Sequence, residues 1–364
     1  EQPYKDLSTA VVYRDERATL DLTFQQDDQH TLQIQGGLPL SIRWNDGLAI
    51  EILGDVDVRA YSTGLGLAFL NVLSGEEVKD IAGELSVDMT LSGPVDQPVP
   101  QGTVQLRNGT LAIVPLGTTI SDITVALSTD AHTVRIEKIS AQSGKGRILG
   151  QGKIGLKNYK PQGIDLRLTA DQWPAIHTRR YKVQIGAALH VQGTLTAPHV
   201  SGEVDVLKAT LRPDLAFLNE KSVKPDETIV VIPVGETLSS AAAQEAQKGI
   251  TPEQASSEET AGQNATLDLA VRIHPDTRIK HANASVELTG QVQITKAQGA
   301  AALLIGAIEV VRGWAGFQGR RFALNQGKIT FAGRKRINPS LDIVAQYQTP
   351  DYLVEALVEG TAEE

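Results

Sequence analysis

Seven histidines are the first residues to question for chemistry, since an imidazole ligates metals and moves protons near neutral pH. They are scattered. His190 and His199 have no companion at metal-ligand spacing, and no H-E-x-x-H motif occurs. No G-x-S-x-G elbow exposes a serine nucleophile. The run Gly144-x-Gly146-x-x-x-Gly150-x-Gly152 has the look of a phosphate loop. It lacks a following Lys-Ser/Thr pair and lies between alternating apolar runs, so its glycines read as turn and strand positions. The 43 Asp and Glu residues fall mostly on polar alternation positions or in turns, where a carboxylate is solvated by default. These patterns point to no catalytic centre, no metal site and no cofactor, and the expectation is a protein that is not an enzyme.

Charge and composition narrow the class. The net charge of −9 argues against a nucleic-acid partner, which needs a basic stripe. Arg320-Arg321 and Arg334-Lys335-Arg336 form modest basic clusters, read as loop or edge-protecting charges before any contact with lipid headgroups. With no cysteine, disulfide and thiolate chemistry are excluded. No apolar run reaches the ~18 residues of a membrane span; the longest candidate, Ala300 to Val311, is shorter and contains Glu309. The chain opens at Glu1-Gln2 without a basic leader region, which reads as a mature segment or a piece of something longer.

The elements that would position any functional surface repeat themselves. Residues 91–111, LSGPVDQPVPQGTVQLRNGTL, match residues 191–211, VQGTLTAPHVSGEVDVLKATL, at Gly93/Gly193, Pro98/Pro198, Gly102/Gly202, Val104/Val204, Thr110/Thr210 and Leu111/Leu211. The end of the unit returns as Gly306-Ala-Ile308-Glu-Val310. Each copy is a glycine-led strand, and repetition of a strand unit predicts an elongated β assembly whose function lies on a long surface. Period-two runs such as Leu85-x-Val87-x-Met89-x-Leu91 and Val183-x-Ile185-x-Ala187-x-Leu189-x-Val191 carry polar residues between them. Such alternation gives a sheet with one apolar and one wet face. Asn108-Gly109, Ser128-Thr-Asp130, Gly144-Lys-Gly146 and Asn158 are expected to supply turns. Aromatic residues make up only 4% of the chain. An aliphatic surface without aromatic bulk fits a smooth wall better than a filled core.

Residues 1–82 read as the first part of the sheet, with one or two helical turns near 66–81, where Ser74 before Glu77 resembles a capping box. Residues 83–235 hold the main repeats, 236–264 an acidic loop with few large apolar residues, and 265–364 the closing repeats.

Four blocks resemble a known family: Val286-Glu-Leu-Thr-Gly290; Gly306-Ala-Ile-Glu-Val-Val-Arg-Gly313; Phe322-Ala-Leu-Asn-Gln-Gly327-Lys-Ile-Thr-Phe331; and Asn338-Pro339-Ser-Leu-Asp-Ile343. In this order they look like the TamB C-terminal domain, of the AsmA-like group, and the likeness extends over roughly residues 60–350. The resemblance implies an all-β, elongated, U-shaped β-taco with an apolar groove. It also implies work in the periplasm of a protein anchored in the inner membrane, phospholipids as cargo, outer-membrane protein assembly, and the barrel protein TamA as partner through a terminal segment.

Closing a one-sided sheet into a U places the alternating apolar residues inside. Those assigned to the groove are Val87, Leu91, Val104, Leu106, Ile123, Val125, Ile164, Leu166, Leu168, Ile185, Leu189, Val204, Val206, Leu269, Val271, Val286, Leu288, Ile308, Val310, Phe331 and Ile343. Three uses of such a sheet remain open at this level. It could carry lipid acyl chains, hold an unfolded outer-membrane strand by β-augmentation, or close into a sandwich with no ligand. The low aromatic content favours the open trough, and a lipid bridge is the expectation.

Overall fold

In a computed structural model of the chain, the residues described are 5–44, 47–157, 160–213, 264–317, 319–350 and 353–362. They form an open sheet of nineteen strands. The first five are β1 (Asp6–Arg14), β2 (Arg17–Gln25), β3 (Thr31–Trp44), β4 (Leu48–Ile52) and β5 (Asp55–Gly66). A 3-10 helix, Leu67–Val72, precedes β6 (Val78–Pro94), β7 (Val99–Ile113), β8 (Thr118–Thr129) and β9 (Thr133–Ser143). Next come β10 (Gly146–Lys157), β11 (Lys160–His177), β12 (Tyr181–Gly193) and β13 (Pro198–Leu211). The series closes with β14 (Thr266–His281), β15 (Ala284–Lys296), β16 (Leu303–Phe317), β17 (Arg320–Ala332), β18 (Ser340–Gln348) and β19 (Leu353–Thr361).

Pairing is almost wholly between chain neighbours. Strands β1 to β3 are antiparallel, and the far side of β3 is shared by β4, over Leu40–Trp44, and β5, over Leu32–Gly37. From β5 to β13 each strand runs antiparallel to the next, as do the strands from β14 to β19. The joint between the two runs is parallel: His199 pairs with Thr266 and Leu211 with Ile279. Eighteen strands in the main ladder at ~4.8 Å spacing give a sheet on the order of 80 Å long.

The sequence repeat is a structural repeat. Gly93 and Gly193 lie in the last two residues of β6 and β12 at φ 104° and 101°, and the turns after these strands lead into β7 and β13, where Gly102 and Gly202 have φ 146° and 139°. Gly306 repeats the conformation in β16 at φ 137°. Register shifts cross the middle of many strands, between Leu106 and Gly109, Ala170 and Trp173, Val206 and Ala209, Ile273 and Thr277, and Glu287 and Leu288. A bulge bends and twists its strand; bulges aligned across neighbours fold the long sheet into the shape of a taco.

Two local expectations are corrected. Asn108-Gly109 is not a turn but a bulge inside β7, with Asn108 at φ 52°, because Asn tolerates the left-handed region without ending a strand. The helical stretch is one 3-10 segment of six residues, and Val78–Ile81 already belong to β6. The capping box does not form: Ser74 Oγ donates to the Asn71 carbonyl, closing the segment's end. Asn71 pins the segment to the sheet by taking the Ile81 N–H at 2.8 Å and donating to the Ile81 carbonyl at 2.7 Å. Of the expected acidic loop 236–264, residues 236–263 lie outside the described residues, as does the turn at Asn158.

Candidate functional site

Directly paired residues share a face, so register decides where each side chain points. One row of partners runs Ser62, Val87, Val104, Leu127, Ile136, Gly152, Leu166, Val191, Val200, Leu267 across ten strands. The adjoining row runs Leu65, Leu85, Leu106, Val125, Ile139, Gly150, Leu168, Leu189, Gly202, Leu269, Ile294, Leu304. A third takes Trp173, Ile185, Val206, Ile273, Gly290, Ile308, Ile329 and Leu341. Leu91 and Ile164 lie on the same face, with Ile123 alternating with Val125, and so do Val204, Val271, Val286, Leu288, Val310, Phe331 and Ile343. The register therefore brings all twenty-one sequence-assigned residues onto one continuous wall.

That wall is lined but not filled. Among the described residues the buried apolar ones are Ile136, Trp173, Ala209, Ala284, Leu288, Val292, Leu324 and Ala345, and all eight belong to this face. Among the described residues no side chain is fully buried, and no second sheet covers the wall. A closed sandwich is therefore not what forms. Ser62 and Thr277 sit on the same face with hydroxyls that are buried and unpaired.

The opposite face is a lattice of charge. Arg272 of β14 reaches Glu203 at 2.6 Å and Asp205 at 2.9 Å on β13. Glu287 stands between Arg278 at 2.7 Å and Arg312 at 2.5 Å. The Arg312 hydrogen bond holds the Glu287 carboxyl below its ordinary value and raises the guanidinium in return. His190 meets Asp165 at 2.7 Å, and this hydrogen bond lowers the Asp165 carboxyl. The sequence-flagged His190 is thus a cross-strand partner, and His199 Nδ1 lies 2.8 Å from Thr266 Oγ1. Arg320 and Arg321 open β17, an interior strand, so they protect no edge; they stack on Tyr347 at 5.2 Å and on Trp314 at 4.2 Å. Among the described residues no group of His, Asp and Glu could hold a metal ion, and no helix is long and apolar enough to cross a membrane.

The sequence reading missed most of what β9 and β10 contribute. Val134 and Ile136 face the wall, and so do Ile139 and Ala141, but a bulge at Glu137-Lys138 breaks the period of two between the pairs. In β10 the wall positions alternate Ile148, Gly150, Gly152, Ile154, so glycines stand where apolar side chains would have signalled a strand.

An apolar wall on a long open sheet, backed by paired charges, is the setting for comparison with known proteins. The family model of the TamB C-terminal domain matches residues 137–364. The chain belongs to this family. The TamB match starts inside β9 and runs through β19, while β1 to β8 continue the same sheet outside it. Membership ties the chain to the envelope assembly system in which TamB domains take part as transport and assembly components. No curated protein matches the chain.

Proposed function

We propose that the trough carries phospholipid acyl chains along the sheet, making the chain part of a periplasmic bridge between the inner and outer membranes, anchored in the inner membrane in the full-length protein. The observation that carries this reading is the unbroken apolar wall, partly exposed along its whole length. Each acyl methylene taken from water is worth about 0.8 kcal/mol, so a few suffice to hold a chain. Because the rows repeat with little change from strand to strand, neighbouring positions bind about equally, and a lipid can move along them without a deep trap.

The test places a photocrosslinker at Leu189 on the wall and, as control, at Gln192 on the opposite face, followed by native mass spectrometry and lipid extraction. Phospholipid recovered and crosslinked at 189 but not at 192 supports the conduit. Equal labelling at both, or no lipid at all, rejects it.

A second reading draws on β19. Among the described residues it pairs only with β18, and Leu353, Val354, Leu357 and Val358 are all exposed. An unpaired apolar edge supports β-augmentation of another strand, as a scaffold for outer-membrane barrel assembly together with TamA would require. Capture of an outer-membrane strand at β19 by a dry trough would favour this scaffold over the conduit.

A further inference from the structure

We propose that a cationic cavity at one rim of the sheet binds the phosphate of an anionic lipid whose acyl chains lie in the trough; the proposal rests on the lipid reading above. The β9–β10 turn at Gly144-Lys145 is short, and its neighbours close over it. His177 donates its N–H to the Leu116 carbonyl at 2.7 Å, and Thr118 Oγ1 donates to the Pro174 carbonyl at 3.2 Å. These bonds join β8 to β11 across the intervening hairpin. They leave a cavity of about 500 Å³, within the range of roughly 300–1,000 Å³ usual for small-molecule sites.

Its charge has one sign. Lys145, Lys182 and Lys208 border it, and no Asp or Glu does. Two other cavities of similar size mix signs, with Arg272 and Glu309 around one and Arg135 and Glu137 around the other. Lys208 is engaged by Asp276 at 3.3 Å, but Lys145 and Lys182 have no carboxylate within ion-pair distance among the described residues. Two lysines without an acidic partner bordering one cavity, in a chain of net charge −9, are complementary to an anion. The Ser143 hydroxyl already donates to the Thr119 carbonyl at 2.6 Å, as Thr118 does to Pro174, so these side chains hold the walls and leave the lysines as donors.

The cavity also touches the trough. Ile176 and Val183 line it, and these two are paired partners on the apolar wall, with Val183 opposite Ala209. Lys182 and Val183 project to opposite faces of β12, yet at this rim both border the cavity, so cationic and apolar surface share one opening. That juxtaposition suits an amphiphile with an anionic phosphate ester beside its acyl chains, and it suits free inorganic phosphate or an acidic peptide less well.

The test titrates the full chain with dioctanoyl phosphatidylglycerol, dioctanoylglycerol, inorganic phosphate and hexaglutamate, read by native mass spectrometry and calorimetry. Lys145→Ala/Lys182→Ala is expected to weaken phosphatidylglycerol at least fivefold while leaving dioctanoylglycerol unchanged. The control pair Lys79→Ala/Lys138→Ala should leave both unchanged. If both lipids bind and the lysine pair has no effect, the headgroup site is wrong and the conduit stands. If neither lipid binds while inorganic phosphate or hexaglutamate still binds through the lysines, the cavity takes a free anion or acidic peptide and both readings fail.

Discussion

A Cβ on Gly202 would stand 2.1 Å from the carbonyl oxygen of Ala188 on the neighbouring strand. The same encounter recurs at Gly102 with Asp88 at 2.1 Å and at Gly306 with Gln291 at 2.2 Å. The curvature of the wall brings backbones closer than a side chain permits, at a glycine that the sequence repeats share.

Gly202→Ala must therefore open the curvature or strain the backbone at φ 139°. The expected loss is about 1–3 kcal/mol of stability, read as a lower urea midpoint. Gly75→Ala, with nothing within 4 Å of its added Cβ, should be neutral within ~0.5 kcal/mol. Equal effects at the two positions would remove the steric account.

Leu189→Arg places a charge on the wall between Leu168 and Gly202. Because the wall is open to solvent, the guanidinium can reach water and the sheet should keep its circular dichroism and melting temperature within a few degrees. Lipid recovered with the purified chain should fall several-fold. Global unfolding of this variant would mean that the position is packed more tightly than its partial exposure indicates.

Thr277 presents a buried, unpaired hydroxyl to the trough face. Replacing it with the isosteric valine removes a desolvated polar group and is expected to stabilise the chain by roughly 1 kcal/mol. A thermal or urea melt decides; destabilisation would reveal a partner for the hydroxyl.

Acid should loosen the charged face. Glu287 and Asp165 have folded values below their ordinary 4.5 and 3.8. A depressed carboxyl adds stability that is present above the unfolded value and lost as pH falls through the folded one. The melting temperature should thus hold from about pH 7 to 5 and drop below about pH 4. Glu287→Gln should melt lower at neutral pH and lose less on acidification. An acid drop identical to that of the unmodified chain would show that other carboxyls dominate.

The face a side chain takes was legible because a period of two survives translation into register: Leu166, Leu168 and Leu189 could be placed before any pairing was known. What escaped was whatever interrupts that period. Asn108-Gly109 carries turn chemistry but serves a bulge, since the pairing of β7 with both neighbours outweighs the local preference. Gly150 and Gly152 hide a strand, because the wall there needs close approach and not bulk. The cavity bordered by Lys145 and Lys182 depends on a contact between β8 and β11 that skips a hairpin, and no local pattern encodes such a contact.

The parallel pairing of β13 with β14 makes the molecule divisible. Every other neighbour in the sheet is a chain neighbour, or nearly so, so β1 to β13 and β14 to β19 can each zip up from local hairpins. Among the described residues this is the one seam that pairs strands distant in sequence, and Arg272 clasps it through Glu203 and Asp205. Two polypeptides ending and beginning between residues 213 and 264 would retain every antiparallel pairing among the described strands. They would meet along a single docking edge, as the halves of a split protein do.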